Sequence, residues 1–394
     1  MRILYYNSQL GSFDGSNSHA AGMLCALRRI NGEENVLVAN RVEQQVYARG
    51  RESLKRGLGP LLDPLRAVRR KGLSASDADY AVETARKAGF EPDVVLARCP
   101  LYDEAPLAIS KELGARLVME VNTPLYYECC DVRHASMGPL VRAYESRMLR
   151  AAAGVYCVSD EVHDMLEGQY GHVVEKSVVV PNGYDAGLYS DFEERGDVRA
   201  RVRAEEGVEG AFVVTFVGSL QSWHGIDRLV EIADGVKRAG GRRVIFWVMG
   251  DGEMRGSVEA RSKVDPDFRW FGNVSPERMK ELLYASDLGV MPYERLEHFY
   301  FSPLKMYDMI GAGLPYIGLS IGQIEKESPA AIRESCLLDT TLAAPYADKI
   351  IELRDGNGLE EIGRSVREAR ASCTWDCRAH ELILFLDAVR WGRR

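Results

Sequence analysis

The sequence predicts an α/β protein made of two doubly wound, parallel-sheet domains. Three observations lead there. Short apolar runs alternate with longer amphipathic ones along most of the chain. The alternation breaks once, at Pro181-Asn182-Gly183, and then restarts. Glycine-rich turns stand directly after several of the apolar runs. Strand, helix, strand in repetition gives a parallel sheet covered on both faces, and such sheets bind ligands at the carboxyl ends of their strands.

The chain has 394 residues, enough for two domains of ordinary size. With 46% hydrophobic and 27% charged residues it has the composition of a folded globular protein. A net charge of -8 argues against general nucleic-acid binding. The opening MRILYYNSQLGSFDG lacks the apolar core and cleavage site of a signal peptide, and no apolar run is long enough to span a bilayer. The expectation is a cytoplasmic protein, peripheral at most at the inner face of a membrane. Eight cysteines, at 25, 99, 129, 130, 157, 336, 373 and 377, show no paired CxxC units. They read as inert thiols of a reducing compartment. Cys373 and Cys377 lie near Trp375 and His380 but lack a second ligand pair, so no metal site is expected there.

In order, the candidate strands of the first domain are 2–6, 36–39, 94–97, 116–120, 154–158 and 177–180, with helices such as 18–30 and 138–152 between them. A polar stretch follows the break and ends near Gly210. The strands of the second domain are 212–218, 244–250, 268–271, 288–291, 316–318 and 336–338. The expected domains are 1–182 and 183–372. A last segment, 373–394, carries Leu382, Ile383, Phe385, Leu386 and Val389 on one helical face, and is expected to pack back on the first domain.

The motifs fall after strands. The first is Gly11, Ser12, Asp14, Gly15 and Ser16, ahead of a helix expected near Ser18, where close backbone approach and a helix start suit a polar or anionic ligand. A plain strand-to-helix turn reads equally well. The second runs from Phe216 through Gly218, Ser219, Trp223, His224 and Gly225 to Asp227, a loop able to wrap a diphosphate with its amides. The third is Gly250-Asp251-Gly252. The fourth runs from Phe301 to Pro315: Ser302 suits an N-cap and Pro303 a first helical turn, with free amides from Leu304 onward. Lys305 puts a cation in that first turn, against the helix dipole, which a bound diphosphate would explain. Asp308, one turn further, is placed to accept from ribose hydroxyls. The competing account of both residues is a solvated helix face.

Taken in order, Gly218–Gly225, Gly250–Gly252, Phe271-Gly272-Asn273-Val274 and Tyr300–Pro315 resemble the nucleotide-binding half of family-4 retaining glycosyltransferases of GT-B fold. Asn182-Gly183-Tyr184-Asp185 is similar to that family's linker turn. The sequence fits a branch carrying G-S-x-x-x-W-H-G and S-P-L-K. Ser219 and His224 stand where the family has Arg and Lys, and Tyr300 and Asp308 where it has two Glu residues, with Glu297 nearby but out of register. The resemblance implies two Rossmann-like domains facing across a cleft. It also implies a nucleotide-sugar donor (a UDP-sugar first, GDP-mannose next) and retention at the anomeric carbon. Lys305 and His224, the latter protonated, would meet the diphosphate. Gly15, Ser16, Gly218, Ser219, Gly250, Gly252, Val274, Tyr300, Ser302, Pro303, Leu304 and Asp308 would line the donor site. Glu120 and Asn122, after a first-domain strand, would frame the reacting sugar, although Glu120 reads equally as a strand-end carboxylate paired with Arg98. No D-x-D element stands at a strand end, so no divalent metal and no other cofactor is expected. The rivals are a catalytically silent nucleotide-sugar-binding protein and a nucleotide-sugar 2-epimerase.

Residues 51–72 carry Arg51, Lys55, Arg56, Arg66, Arg69, Arg70 and Lys71 against Glu52 and Asp63, interleaved with leucines. Pro60 and Pro64 are expected to break any long helix there. The segment suits either an anionic membrane or a soluble acidic acceptor.

Overall fold

The computed structural model describes residues 1–7, 15–40, 52–98, 101–132, 137–171 and 176–392, with the backbone alone for 15–17, 52–67 and 132. The chain divides into two compact units. The first comprises Met1–Pro181 with Asp376–Arg394, and the second comprises Asn182–Trp375.

The first unit holds six parallel strands: β1 (Ile3–Asn7), β2 (Val36–Val38), β3 (Val94–Arg98), β4 (Arg116–Val121), β5 (Gly154–Cys157) and β6 (Ser177–Val179). Their order is β2-β1-β3-β4-β5-β6, so the winding direction reverses between β1 and β3. A ligand crevice opens at such a reversal. The register aligns Asn7 with Arg98, Arg98 with Glu120, and Glu120 with Tyr156 in one row across four strands. Alternation sends Leu4, Tyr6, Val95, Ala97, Leu117 and Met119 into one core layer. Tyr5, Asn7, Arg98 and Glu120 therefore face the other side.

The helices of this unit are α1 (Gly15–Asn31), α2 (Glu52–Lys87), α3 (Ala105–Leu113), α4 (Gly138–Ala151) and α5 (Asp160–Tyr170). Two expectations are corrected here. First, α1 starts three residues earlier than the sequence suggested. Second, α2 continues for 36 residues through both Pro60 and Pro64. Each proline removes one intrahelical bond, and the two lie four residues apart, so both gaps fall on one face. The far half of the helix is anchored through Ala78, Ala81, Val82 and Ala85, a buried i, i+3, i+4, i+7 stripe. Arg70 is also tied down, to Asp77 at 3.2 Å and to the buried Asp103, which accepts from Tyr6 at 2.9 Å.

The C-terminal helix, Trp375–Arg390, joins the first unit from Asp376 onward. Gly154 lets β5 and this helix touch: a Cβ there would lie 2.9 Å from Phe385 and Val389. Ion pairs from Asp376 to Arg29 (2.6 Å) and from Arg390 to Asp93 (3.0 Å) fix its two ends.

The second unit repeats the architecture with β7 (Phe212–Val217), β8 (Val244–Met249), β9 (Phe268–Gly272), β10 (Leu288–Met291), β11 (Tyr316–Leu319) and β12 (Leu337–Leu338). The order is β12-β11-β10-β7-β8-β9, reversing between β7 and β10. Its helices include α6 (Arg195–Glu205), α7 (Ile226–Ala239), α8 (Arg255–Val264), α9 (Pro276–Ala285) and α10 (Leu304–Gly311). One continuous core fills it, around Trp247, Phe216, Phe268, Tyr307 and Tyr316. Among the described residues no helix is long and apolar enough to cross a membrane.

Candidate functional site

At the reversal point of the second unit, glycines let three loops approach one another. Gly218 closes β7 with φ 130° and Gly250 follows β8 with φ 133°. A Cβ on Gly250 would sit 1.9 Å from the Gly218 carbonyl oxygen, and one on Gly252 2.5 Å from the Leu220 oxygen. Gly225, with φ 72°, lies so close to the segment after β10 that a Cβ would fall 1.7 Å from the Pro292 oxygen. A side chain at any of these positions would push the loops apart.

Lys305 lies in the space these loops enclose. It is the second residue of α10 and only 6% exposed, so the solvated helix face is ruled out. Its Nζ stands 4.2 Å from the Phe216 ring centre and 4.9 Å from that of Tyr293. No hydrogen-bond partner reaches it among the described residues. Gly218 makes room, since a Cβ there would come to 3.0 Å from Nζ. Burial without a counter-charge pushes the amine down to about 7.

His224 lies beside it, 5.0 Å from Tyr293 edge to face. Its Nδ1 is 2.6 Å from the Ser219 carbonyl oxygen, which can only accept, so Nδ1 carries the proton and Nε2 presents a lone pair. Burial first, and Lys305 second, push the imidazole down to about 3. The protonated His224 expected from sequence is therefore corrected: the ring is neutral here. Ser219 itself is exposed.

The start of α10 also differs from the sequence reading. Pro303, not Ser302, occupies the cap position, and Leu304 begins the helix. Ser302 is committed elsewhere: its Oγ accepts from the Asn182 backbone N–H at 2.9 Å and its carbonyl from the Asn182 side chain. The Met306 N–H is bonded to the Pro303 oxygen, which leaves the amides of Leu304 and Lys305 at the helix start. Asp308, half-buried one turn on, accepts from Tyr189 at 3.4 Å. Burial, with Asp185 adding to it, pushes its carboxyl up to about 7. Tyr300 leans on Phe301 at 4.3 Å with the rings tilted 39°, and Phe301 stacks on Tyr293, while Glu297 is exposed. Val274, after β9, packs half-buried against the core.

In the first unit the reversal point gathers a different set. The Glu120 carboxylate is sealed from solvent, with His19 Nε2 at 3.1 Å, Tyr5 OH at 3.4 Å and Arg98 Nε at 3.8 Å. Burial opposes its ionisation, but His19 and then Arg98 outweigh that and hold the carboxyl below its ordinary range. The Asn122 amide, oriented to satisfy its neighbours, donates to Glu120 at 3.1 Å and accepts from Arg98 at 3.0 and 3.2 Å. Glu120 thus orients Arg98 and Asn122. Gly15 and Ser16 form the first turn of α1, while Gly11, Ser12 and Asp14 lie outside the described residues. No three His, Cys, Asp or Glu side chains gather in a metal-holding group among the described residues.

The sequence did not single out His19 or Tyr293, and it gave Phe216 no role beyond the strand end that opens the second motif. The first reads as an isolated histidine on a helix and the others as ordinary core aromatics, and only the fold sets them against Glu120 and Lys305.

Two family models match the chain: Glycosyltransferase Family 4 over residues 13–188 and Glycosyl transferases group 1 over residues 198–355. A Bacillus subtilis protein named as a teichuronic acid biosynthesis glycosyltransferase, TuaH, is 21% identical over 66% of this chain and 66% of its own length. A 2-deoxystreptamine glucosyltransferase of Streptomyces kanamyceticus is 29% identical over 39% of this chain and 40% of its own length. The matched stretches thus span just under two thirds or less of these relatives. Among solved structures, Anabaena HepE in complex with UDP superimposes with TM-score 0.66 at 18% identity, covering 98% of this chain and 100% of that one. Sucrose-phosphate synthase from Thermosynechococcus elongatus superimposes with TM-score 0.69 at 12% identity, covering all of both chains (100% and 100%). With two reversal-point α/β units, and with both halves matched in order, the chain belongs to the family-4-like glycosyltransferases of GT-B fold.

Proposed function

We propose that this glycosyltransferase is a metal-independent, retaining hexosyltransferase. Its donor is a nucleotide diphosphate sugar, a UDP-sugar first and GDP-mannose next. Its acceptor is a hydroxyl on a glycan, a lipid-linked sugar or a small natural product. The observation that carries the reading is Lys305: a buried amine with no hydrogen-bond partner among the described residues, set against strand-end glycines at the reversal point of the second unit. Folded proteins rarely leave such a group unpaired, and the leaving diphosphate of a sugar donor is the partner it lacks. The UDP and UDP-glucose complexes of Anabaena HepE support a uridine donor.

In this reading the amides of Leu304 and Lys305 and the Lys305 amine hold the diphosphate. Neutral His224 accepts a hydrogen bond from a hydroxyl of the donor through Nε2. Asp308 accepts from the ribose. As the bond from the anomeric carbon to the phosphate oxygen breaks, its electron pair passes to the diphosphate. The acceptor oxygen then bonds to that carbon on the face just vacated, and its proton goes to the departing phosphate. Asn122 and Arg98 face the acceptor side, with Glu120 and His19 fixing their orientation.

The test is a screen of nucleotide sugars for slow donor hydrolysis, followed by the Lys305→Ala variant on the best donor. Turnover should fall by about 10²-fold or more, the scale for losing a charge-assisted contact to the leaving group. Equal turnover would remove Lys305 from the diphosphate. The anomeric configuration of the product, read by NMR, decides retention. Activity should persist in EDTA; loss restored by Mg²⁺ or Mn²⁺ would defeat the metal-free reading. We also propose that the basic segment 51–72 meets an anionic membrane surface; co-sedimentation with anionic vesicles at low salt, lost at high salt, is the check.

A further inference from the structure

We propose that the donor enters the site together with a proton: Lys305 is an uncharged amine in the empty site and an ammonium in the occupied one. The inference rests on the donor-site reading above and adds a linkage that the reading does not require.

The geometry argues it from every side. Nζ faces the Phe216 ring from β7 and the Tyr293 ring from the segment after β10. From the turn after β7 it faces His224, a neutral ring that brings no negative charge. Among the described residues no carboxylate pairs with it. The nearby acids are occupied: Glu294 pairs with Arg228 at 2.6 Å, Glu253 accepts from Ser222 N–H at 3.1 Å, and Asp251 accepts from Gly252 N–H at 2.8 Å. On α10 itself Asp308 is held by Tyr189, and the Tyr307 hydroxyl lies 3.3 Å from Ser302 Oγ. The amine also sits in the first turn of α10, where the helix dipole disfavours a cation. The aromatic faces attract an ammonium, but only modestly beside the loss of water. A diphosphate reverses the balance, supplying the counter-charge that the dipole and the amine both lack. Burial already holds the amine at about 7 in the empty site, where a small change of surroundings settles its charge.

The experiment is calorimetric titration of UDP, and separately of GDP, into the full chain at pH 8.0 in buffers of different ionisation enthalpy. At that pH the phosphates are already fully ionised, so a proton consumed must come onto the protein. About one proton taken up per nucleotide is expected, with Kd rising roughly 10-fold between pH 8 and pH 9. In Lys305→Arg, always charged, uptake should vanish and Kd should become flat with pH. In Lys305→Ala, uptake should also vanish and binding weaken. In His224→Gln, uptake should persist.

Binding without proton uptake in the unaltered chain overturns the proposal and leaves the donor site standing. Uptake that survives both Lys305 variants, or that is lost only in His224→Gln, overturns it too, by placing the proton elsewhere. If neither UDP nor GDP binds, the donor-site reading falls and takes the proposal with it.

Discussion

Replacing Lys305 by methionine should make the ligand-free chain more stable, and most so at neutral pH and below. The amine falls from the ordinary 10.5 to about 7 on folding. At about 1.36 kcal/mol per pH unit, that displacement corresponds to a folding penalty of at most about 4–5 kcal/mol. Methionine has a similar length and no charge, so it removes the penalty while keeping contact with Phe216 and Tyr293. Losing the amine's attraction to the two rings returns part of the gain, which leaves about 2 kcal/mol. For a unit the size of 182–375 that is roughly 4–8 °C in Tm.

The sign follows from the direction of the shift. A lysine whose folded value is lowered destabilises fully below that value, and the effect fades as pH rises toward the unfolded one. The gain should therefore be complete at pH 6–7, smaller at pH 9 and nearly gone by 10.5. Tryptophan fluorescence is a suitable probe, because Trp223, Trp247, Trp270 and Trp375 all lie in the second unit and Trp391 alone lies outside it. A variant that melts at or below the unaltered chain at pH 7, or a gain that does not change with pH, would refute the reasoning.

Further outcomes are expected. Asp308→Asn should raise Tm at pH 8, where the carboxyl held at about 7 is ionised at a cost, yet weaken UDP or GDP binding by about 1.5–3 kcal/mol; calorimetry and thermal melts together separate the two effects. Gly225→Ala should cost more than about 3 kcal/mol or abolish soluble expression, since its Cβ would overlap the Pro292 oxygen at a backbone φ of 72°. Glu120→Gln removes the buried carboxylate that His19 and Arg98 face and should lower stability by about 1–3 kcal/mol in chemical denaturation.

Strand positions were legible in the sequence almost to the residue. Runs such as Phe212–Val217 and Val244–Met249 are β-branched or aromatic but for Met249 and are followed by a glycine, so composition marks both limits. The long helix was not legible. Pro60 and Pro64 are local vetoes, and the apolar stripe that overrides them lies further along, at Ala78 to Ala85. At the site, the residue types at 218, 224, 250, 305 and 308 could be picked out because glycines and lone charges are conspicuous at strand ends. Their protonation could not. Whether His224 is charged depends on burial and on Lys305, and the surroundings of Lys305 depend on Tyr293 and on Phe216, which is far off in the chain. The cap at α10 was misread because Ser302 has two competing uses, and only the fold shows that Asn182 claims it.

The route of the chain through the two units bears on biosynthesis. In the sequence the second unit is one unbroken stretch that interrupts the first, which is complete only once the residues from Asp376 onward arrive. Synthesis therefore delivers all of Asn182–Trp375 before the residues that complete the first unit. Until then Gly154 and the apolar surface around it wait for Phe385 and Val389, an exposed flank on a nascent chain. A truncation just before Asp376 would leave that flank bare for good. It should yield a protein whose second unit still folds while its first recruits chaperones or aggregates.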